Sequence, residues 1–97
     1  MPENVSTKTI RLKYRNMMVP ILLHLSDGNV QKVEVFSGTT DQEKISFFKI
    51  SEKINKLLST GVRTKTRVLG ELNKINNIDP SVFSFMRKVV NNCLSLS

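Results

Sequence analysis

The first third of the chain alternates between hydrophobic and polar positions, which is the period of a β-strand with one buried side. Residues 7–15 follow this pattern, and residues 19–25 repeat it after a short break. Residues 30–36 are rich in β-branched side chains and form a third such stretch. In the first stretch the apolar side carries Ile10, Leu12 and Tyr14, and the polar side carries Arg11, Lys13 and Arg15.

Turn residues separate these stretches and predict an antiparallel meander. Asp27-Gly28 is a two-residue hairpin signal, because both central positions of the favoured turn need a positive φ. Asn16-Met17-Met18 is the expected connection between the first two strands. Residues 1–6 are expected to form a flexible tail ahead of a single domain over 7–97.

After Ser37-Gly38 the apolar period changes to that of an α-helix. Thr40 and Glu43 have the spacing of a capping box, and the first helix should end before Gly61. Thr66 is the expected cap of a shorter second helix that frays at residues 76–77, after a linker over 62–65. Asp79-Pro80 then predicts the start of a third helix.

This order predicts an α+β fold, in which a three-stranded antiparallel meander is followed by three helices packed on one sheet face (βββααα). The third helix is apolar over more than half of its circumference. That pattern fits either a central place in the core or a homodimer interface through the C-terminal helix.

The amino-acid composition limits the kinds of chemical site that the chain can form. The chain has one cysteine, Cys93, and one histidine, His24, in 97 residues, so it has neither an internal disulfide nor the ligands of a structural zinc site. An intracellular setting, cytoplasmic or nucleoid/nuclear, is expected, with no membrane span. We interpret His24 as a sheet-surface residue and Cys93 as a buried thiol, and therefore expect no catalytic residues, no metal, no cofactor and no enzymatic activity.

Charge adds the main functional indication. The chain has 15 Lys and Arg against 8 Asp and Glu, and the excess lies at both ends. Residues 1–25 hold four bases and one acid, residues 26–50 three bases and four acids, and residues 51–97 eight bases and three acids. A focused positive field attracts polyanions.

Two basic sets are candidate sites for phosphate contacts. The first is the basic side of the first strand, although a solvated sheet face or a protected edge strand would have the same residues. It consists of Lys8, Arg11, Lys13 and Arg15, with Lys32 alongside on a neighbouring strand. The second is Arg63-x-Lys65-x-Arg67, which lies just ahead of a predicted helix and is the stronger candidate. The full set of predicted nucleic-acid contacts is Lys8, Arg11, Lys13, Arg15, Arg63, Lys65, Arg67, Arg87 and Lys88.

The last two predicted helices loosely resemble a helix-turn-helix, although the turn over residues 76–80 is too long and lacks a glycine. In that arrangement Arg87 and Lys88 would face a groove together with Ser and Asn side chains. An ordinary solvated helix face would present the same residues.

The leading hypothesis is a small basic protein that binds DNA or RNA through the phosphate backbone with little sequence readout. About six neutralised phosphates would give a log K against log salt slope near −5. The alternative is a non-enzymatic interaction module, such as an inhibitor, adaptor or assembly subunit, that binds an acidic protein surface. Its apolar anchor would be Phe83, Phe85 or Met86, with the bases as a rim.

Overall fold

Three antiparallel strands and three helices follow one another along the chain, which confirms the α+β, βββααα arrangement. The structure is a computed structural model that describes residues 5–35 and 40–94. The strands pair in the order β1-β2-β3. The elements are β1 (Val5–Tyr14), β2 (Met17–Ser26), β3 (Asn29–Val35), α1 (Asp41–Ser59), α2 (Lys65–Leu72) and α3 (Pro80–Cys93).

The strand register gives the sheet one covered face and one open face. Ile10 lies opposite Ile21, and Leu12 lies opposite Val19, so the apolar sets of β1 and β2 share a side. Ile21 and Val19 are almost fully buried, and Val33 of β3 continues that buried layer. We call this helix-packed side the covered face and the other side the open face.

Both hairpins have two-residue turns. Asp27 and Gly28 have φ values of 52° and 82°, which confirms the predicted second hairpin. In the first hairpin Tyr14 pairs with Met17, so the turn is Arg15-Asn16 and the predicted connection over residues 16–18 is wrong. Arg15 adopts the left-handed conformation with φ 55°, although it is not a glycine. The turn therefore consists of Arg15 and Asn16 alone, and both methionines belong to β2.

β1 begins at Val5, two residues before the alternating pattern of the sequence. Val5 and Ser6 belong to β1, where they pair with Ser26 and Leu25. The strand continues because β2 is long enough to supply partners for both residues. Residues 1–4 and the predicted break at Ser37-Gly38 lie outside the described residues.

The caps of α1 and α3 are those that the sequence predicts. Thr40 and Glu43 form a reciprocal capping box, and Gly61 follows the end of α1 with φ 89°. Asp79 caps α3 with Pro80 at the first turn.

The second helix starts and ends earlier than the sequence predicts. Its cap is Thr64 and not Thr66, because the Thr64 side chain accepts from the backbone N–H of Arg67. The helix ends at Leu72, four residues before the expected fraying point.

The helices pack in two layers on the covered face. α1 lies beside β3, and α2 packs against α1 and α3. α3 runs below β1, since Phe85 meets Tyr14 near one end of β1 and Cys93 lies near Lys8 towards the other. Tyr14, Phe47 and Phe85 form an edge-to-face cluster, with ring centroids 5.3–5.8 Å apart. The apolar side of α3 lies in this core through Val82, Phe85, Met86, Val89 and Val90.

Candidate nucleic-acid interface

The open face is a solvent-facing surface built by strand alternation. Its register rows place Arg11 beside Pro20, and Lys13 beside Met18. The next rows place Leu22 beside Glu34, and His24 beside Lys32. Over the part of the chain that the structure describes, β3 pairs only with Ile21–Ser26, so Arg11 to Pro20 form a two-stranded ribbon.

Arg11 and Lys13 are the uncommitted cations of this ribbon. Both are exposed, and neither has an acidic group within ion-pair distance among residues 5–35 and 40–94. Their cross-strand neighbours, Pro20 and Met18, are also exposed, and Met18 keeps 59% of its accessible surface. The open face therefore combines free positive charge with apolar surface and has no acid beside these two cations.

The β3 side of the open face is more neutral. The Lys32 Nζ atom lies 3.2 Å from a Glu34 carboxylate oxygen, and the His24 Nε2 atom lies 3.5 Å from the other. Lys32, followed by His24, holds the pKa of Glu34 below its usual value. His24 thus lies on the sheet surface, as the sequence indicates, and Lys32 is matched by an acid.

Arg15 is held at the tip of the ribbon. Its Nε atom lies 3.5 Å from Glu43, and its guanidinium lies 5.6 Å from the Tyr14 ring centroid. Glu43 is buried and also accepts a hydrogen bond from the Tyr14 hydroxyl. Burial, followed by this hydrogen bond, raises the pKa of Tyr14. Arg15 is exposed, but its positive charge is partly neutralised by the buried Glu43 carboxylate.

Lys8 lies on the opposite side of the sheet from Arg11 and Lys13. It pairs with Leu23, whose side chain is buried on the covered face, and its charge acts on Cys93 of α3. The sequence grouped Lys8 with the polar side of the strand, but its even position gives it the parity of Ile10 and Leu12. The structure therefore does not bring Lys8 together with the ribbon cations.

Arg63 is committed to the fold. Its side chain is half-buried, and its guanidinium donates to the Val30 carbonyl and, at 2.9 Å, to the Gln31 side-chain oxygen. Arg63 thereby ties the segment after α1 to the second hairpin. The first residue of the stronger sequence candidate therefore makes a structural contact.

Lys65 and Arg67 lie in the first turn of α2 and not in a linker. α2 packs against α1 and α3, and the contacts of Arg63 with Val30 and Gln31 place the start of α2 at the second hairpin, at the opposite end of β2 from Arg11 and Lys13. Arg67 is exposed and Lys65 is half-buried. The Arg63-x-Lys65-x-Arg67 set is therefore not continuous with Arg11 and Lys13.

Arg87 and Lys88 lie on the exposed side of α3, across the sheet from the ribbon cations. The connection between α2 and α3 covers residues 73–79, well beyond the three- or four-residue turn of a helix-turn-helix. The loose resemblance in the sequence does not correspond to that motif's short turn.

One exposed apolar group was missed by the sequence reasoning. Phe48 is 67% exposed and Ile45 is 53% exposed on α1, although both fall within the apolar helical pattern that the sequence shows over residues 45–58. The buried side of α1 includes Phe47, Ile50 and Ile54, and Phe48 lies about 100° away from Phe47 around the helix. A strict helical projection would have separated these two phenylalanines.

The described residues show no grouping of histidine, cysteine and acidic side chains that could hold a metal ion. Cys93 is half-buried on the covered side, and burial raises its pKa to about 11. It lies across the sheet from His24. None of the described helices is long and apolar enough to cross a membrane.

Comparison with known proteins adds no relative. No protein-family model matches the chain, and no curated protein or solved structure matches it either.

Proposed function

We propose that this protein binds duplex DNA through the open face of the β1–β2 ribbon, with Arg11 and Lys13 as phosphate contacts. The observation that carries the proposal is the position of two exposed, acid-free cations on one side of a ribbon whose other side is fixed in the core. The binding is expected to have little sequence readout. The register rows of Arg11 and Lys13 hold Pro20 and Met18, and no asparagine or glutamine lies in either row.

The shape of the ribbon favours a duplex over a single strand. A major groove of B-form DNA is about 12 Å wide and admits a two-stranded β-ribbon, whereas the major groove of A-form RNA is too narrow for side chains. Single-strand binding uses exposed aromatic platforms, and the described open face has no phenylalanine, tyrosine or tryptophan. Met18 and Pro20 offer apolar contact instead.

The number of phosphate contacts that we expect from the structure is smaller than the number expected from the sequence. Arg11 and Lys13 are free, and Arg15 is partly matched by Glu43, so about three phosphates would be neutralised. The slope of log K against log salt should then be about −2.7, and raising salt from 50 to 200 mM should cost about forty-fold. The sequence alone suggested six contacts and a steeper slope.

The test is fluorescence anisotropy with a labelled 20-base-pair duplex over that salt range. The Arg11→Gln/Lys13→Gln variant should bind at least about tenfold more weakly at 50 mM salt, with its slope reduced to about −1. Arg87→Gln/Lys88→Gln removes the same charge across the sheet and is the matched control. Its affinity should change by less than about threefold.

Three results would count against the proposal. Equal losses in the two variants would show a response to overall charge and not to the ribbon. A salt slope near zero for the wild-type protein would show that it makes no phosphate contacts. A single strand or a polyglutamate that binds as well as the duplex would contradict the groove geometry.

A further inference from the structure

The outer edge of β1 is a feature of the ribbon that the proposed function does not use. β1 lies at one end of the strand order, so only one of its two sides pairs with a strand. The strand runs from Val5 to Tyr14, and the structure describes every residue of it. The open edge of a strand presents unpaired N–H and C=O groups and can serve as a template for another strand.

The strand register shows which residues of β1 point their backbone groups outward. Tyr14 and Met17 close a two-residue turn and therefore exchange both of their hydrogen bonds. Bonded and non-bonded pairs alternate from there, so the odd-numbered residues of β1 direct their N–H and C=O groups away from β2. Arg11 agrees with this assignment, because its partner Pro20 has no N–H to donate. The outward residues are Val5, Thr7, Thr9, Arg11 and Lys13.

The outward backbone groups of β1 are accessible. All five of these residues are exposed, and within residues 5–35 and 40–94 their outward groups make no hydrogen bond. The other edge of the sheet differs, because the outward groups of Val33 on β3 are already bonded to the Asn55 side chain. β1 is therefore the edge that offers a long run of unused backbone groups to a partner.

The two faces of the β1 edge present different side chains. Arg11 and Lys13 are exposed on the open face and have no ion pair in the described part of the chain. Ile10 and Leu12 lie on the covered face, where they pack against the core but stay half-buried. Because successive side chains of a strand point to opposite faces, an added strand would meet the cations and the apolar pair with alternate residues.

Charge selects the class of occupant. Lys8 is exposed on the covered face, so this edge has bases on both of its sides. Lysines on an edge oppose pairing with another basic strand, and a second copy of the chain would bring a formal charge of +7. Opposite charges directly across two strands stabilise the pairing. The bases of this edge therefore favour an acidic strand over a second copy.

We propose that the β1 edge binds an extended acidic segment of another protein as an antiparallel fourth strand. Acidic side chains of the segment face Lys13, Arg11 and Lys8. Apolar side chains face Leu12 and Ile10 and extend the core. From its N-terminus the segment follows the order acid, apolar, acid, apolar, any residue, acid. Backbone bonds supply the affinity in this mode of recognition, and the alternate side chains supply the specificity.

The segment and duplex DNA would exclude each other, because both would use Arg11 and Lys13. This consequence rests on the proposed function, whereas the strand pairing itself does not. The acidic segment would then act as a competitor of DNA binding.

Fluorescence anisotropy with a labelled peptide, in the absence of DNA, tests the strand pairing. The peptide Glu-Val-Glu-Val-Thr-Glu-Thr has the proposed order and spans Lys13 to Thr7. The same seven residues in reverse order are the matched control, since they have the same composition and charge. The control should bind at least about tenfold more weakly, because its acids and valines then meet the wrong side chains.

A substitution at the centre of the edge tests the outward backbone. Thr9→Pro removes one outward N–H and should weaken peptide binding at least about tenfold, while the fold tolerates proline at an edge position whose N–H faces solvent. Thr9→Val keeps that N–H and a β-branched side chain, and it should change binding by less than about twofold. Thermal unfolding of both variants checks that the fold is intact.

Backbone N-methylation of the peptide tests the register without changing the protein. The second glutamate lies opposite Arg11, an outward residue, so its amide points to β1 and its methylation should abolish binding. The second valine lies opposite Ile10, and its amide points away from β1, so its methylation should be tolerated. This result also keeps the test open if Thr9→Pro does not fold.

Five results would overturn the proposal. They are absence of peptide binding, equal binding of the reversed peptide, equal binding of an all-glutamate peptide, the opposite methylation pattern, and a concentration-dependent dimer in sedimentation that Thr9→Pro dissociates. The last result would make the edge a self-association surface. Because all of these measurements are made without DNA, their failure leaves the duplex contact untouched, and a failure of duplex binding leaves the peptide result standing.

Discussion

Two basic segments look alike in the sequence and have different roles in the structure. Arg11-x-Lys13 and Arg63-x-Lys65-x-Arg67 both place cations at every second position. On β1 that spacing matches the strand period, so both side chains reach the open face. In the second segment the chain enters a helix at Lys65, and alternate residues then point in different directions.

The difference also concerns what each cation contacts. Arg63 has planar donors that fit backbone carbonyls, and it uses them to hold Val30 and Gln31. Among the described residues the Arg11 side chain has no hydrogen bond or ion pair, and its cross-strand neighbour on the open face is the apolar Pro20. A basic residue is available to a partner only when the fold leaves its donors unused, and spacing in the sequence does not show this.

The largest expected effect tests the structural role of Arg63. Arg63→Ala removes two hydrogen bonds and leaves the Val30 carbonyl without its charged donor, so unfolding should become easier by about 2 kcal/mol. Urea denaturation followed by circular dichroism measures the change. Arg67→Ala, an exposed arginine four residues later, is the control and should stay within about 0.5 kcal/mol. Equal losses would show that Arg63 does not differ from a surface arginine.

Much of the fold was predictable because its signals are local. The alternation of β1 and β2, the Asp27-Gly28 turn and the Thr40–Glu43 box each depend on residues close together in the sequence, and all are present in the structure. The misplaced boundaries, by contrast, had competing local solutions. Thr64 and Thr66 are both able to cap a helix, and the choice of Thr64 follows from the tertiary packing of Val68 and Leu72.

The candidate site was less predictable because it depends on long-range contacts. Arg63 contacts residues more than thirty positions away in the sequence. Arg15 and Glu43, which form an ion pair, are nearly as far apart in the sequence. Of the three residues named as an apolar anchor for a protein partner, Phe85 and Met86 are buried in the core, and Phe83 is partly buried. The side of α3 that would have formed a dimer interface packs against its own chain, and a homodimer stays an untested prediction.

A smaller effect distinguishes a helical from a linker position for the second basic segment. Thr64→Ala removes the oxygen that accepts from the Arg67 N–H, and it should cost about 1 kcal/mol of unfolding free energy. Thr66→Ala changes the same residue type inside the helix, where the side chain is exposed, and should stay within about 0.5 kcal/mol. The reverse order would return the cap to Thr66 and Lys65 to the linker.

The smallest effect tests which side of the sheet each β1 cation occupies. Burial raises the pKa of Cys93 to about 11, and the positive charge of Lys8 opposes that rise. Lys8→Gln should therefore slow alkylation of the thiol by iodoacetamide at pH 9, by less than about twofold because the lysine is exposed. Lys13→Gln, on the open face of the same strand, should leave the rate unchanged.

The same thiol gives a pH dependence with a defined sign. The folded state keeps Cys93 protonated above its ordinary pKa of 9.0, so its contribution to stability is complete below that pH and is lost as pH rises towards 11. Cys93→Ser should remove this part of the alkaline loss of stability, as measured by thermal unfolding between pH 8 and 11.

If Lys13→Gln slowed alkylation of Cys93 more than Lys8→Gln did, Lys13 and not Lys8 would lie on the side of Cys93. The separation between free ribbon cations and covered-face cations would then be reversed.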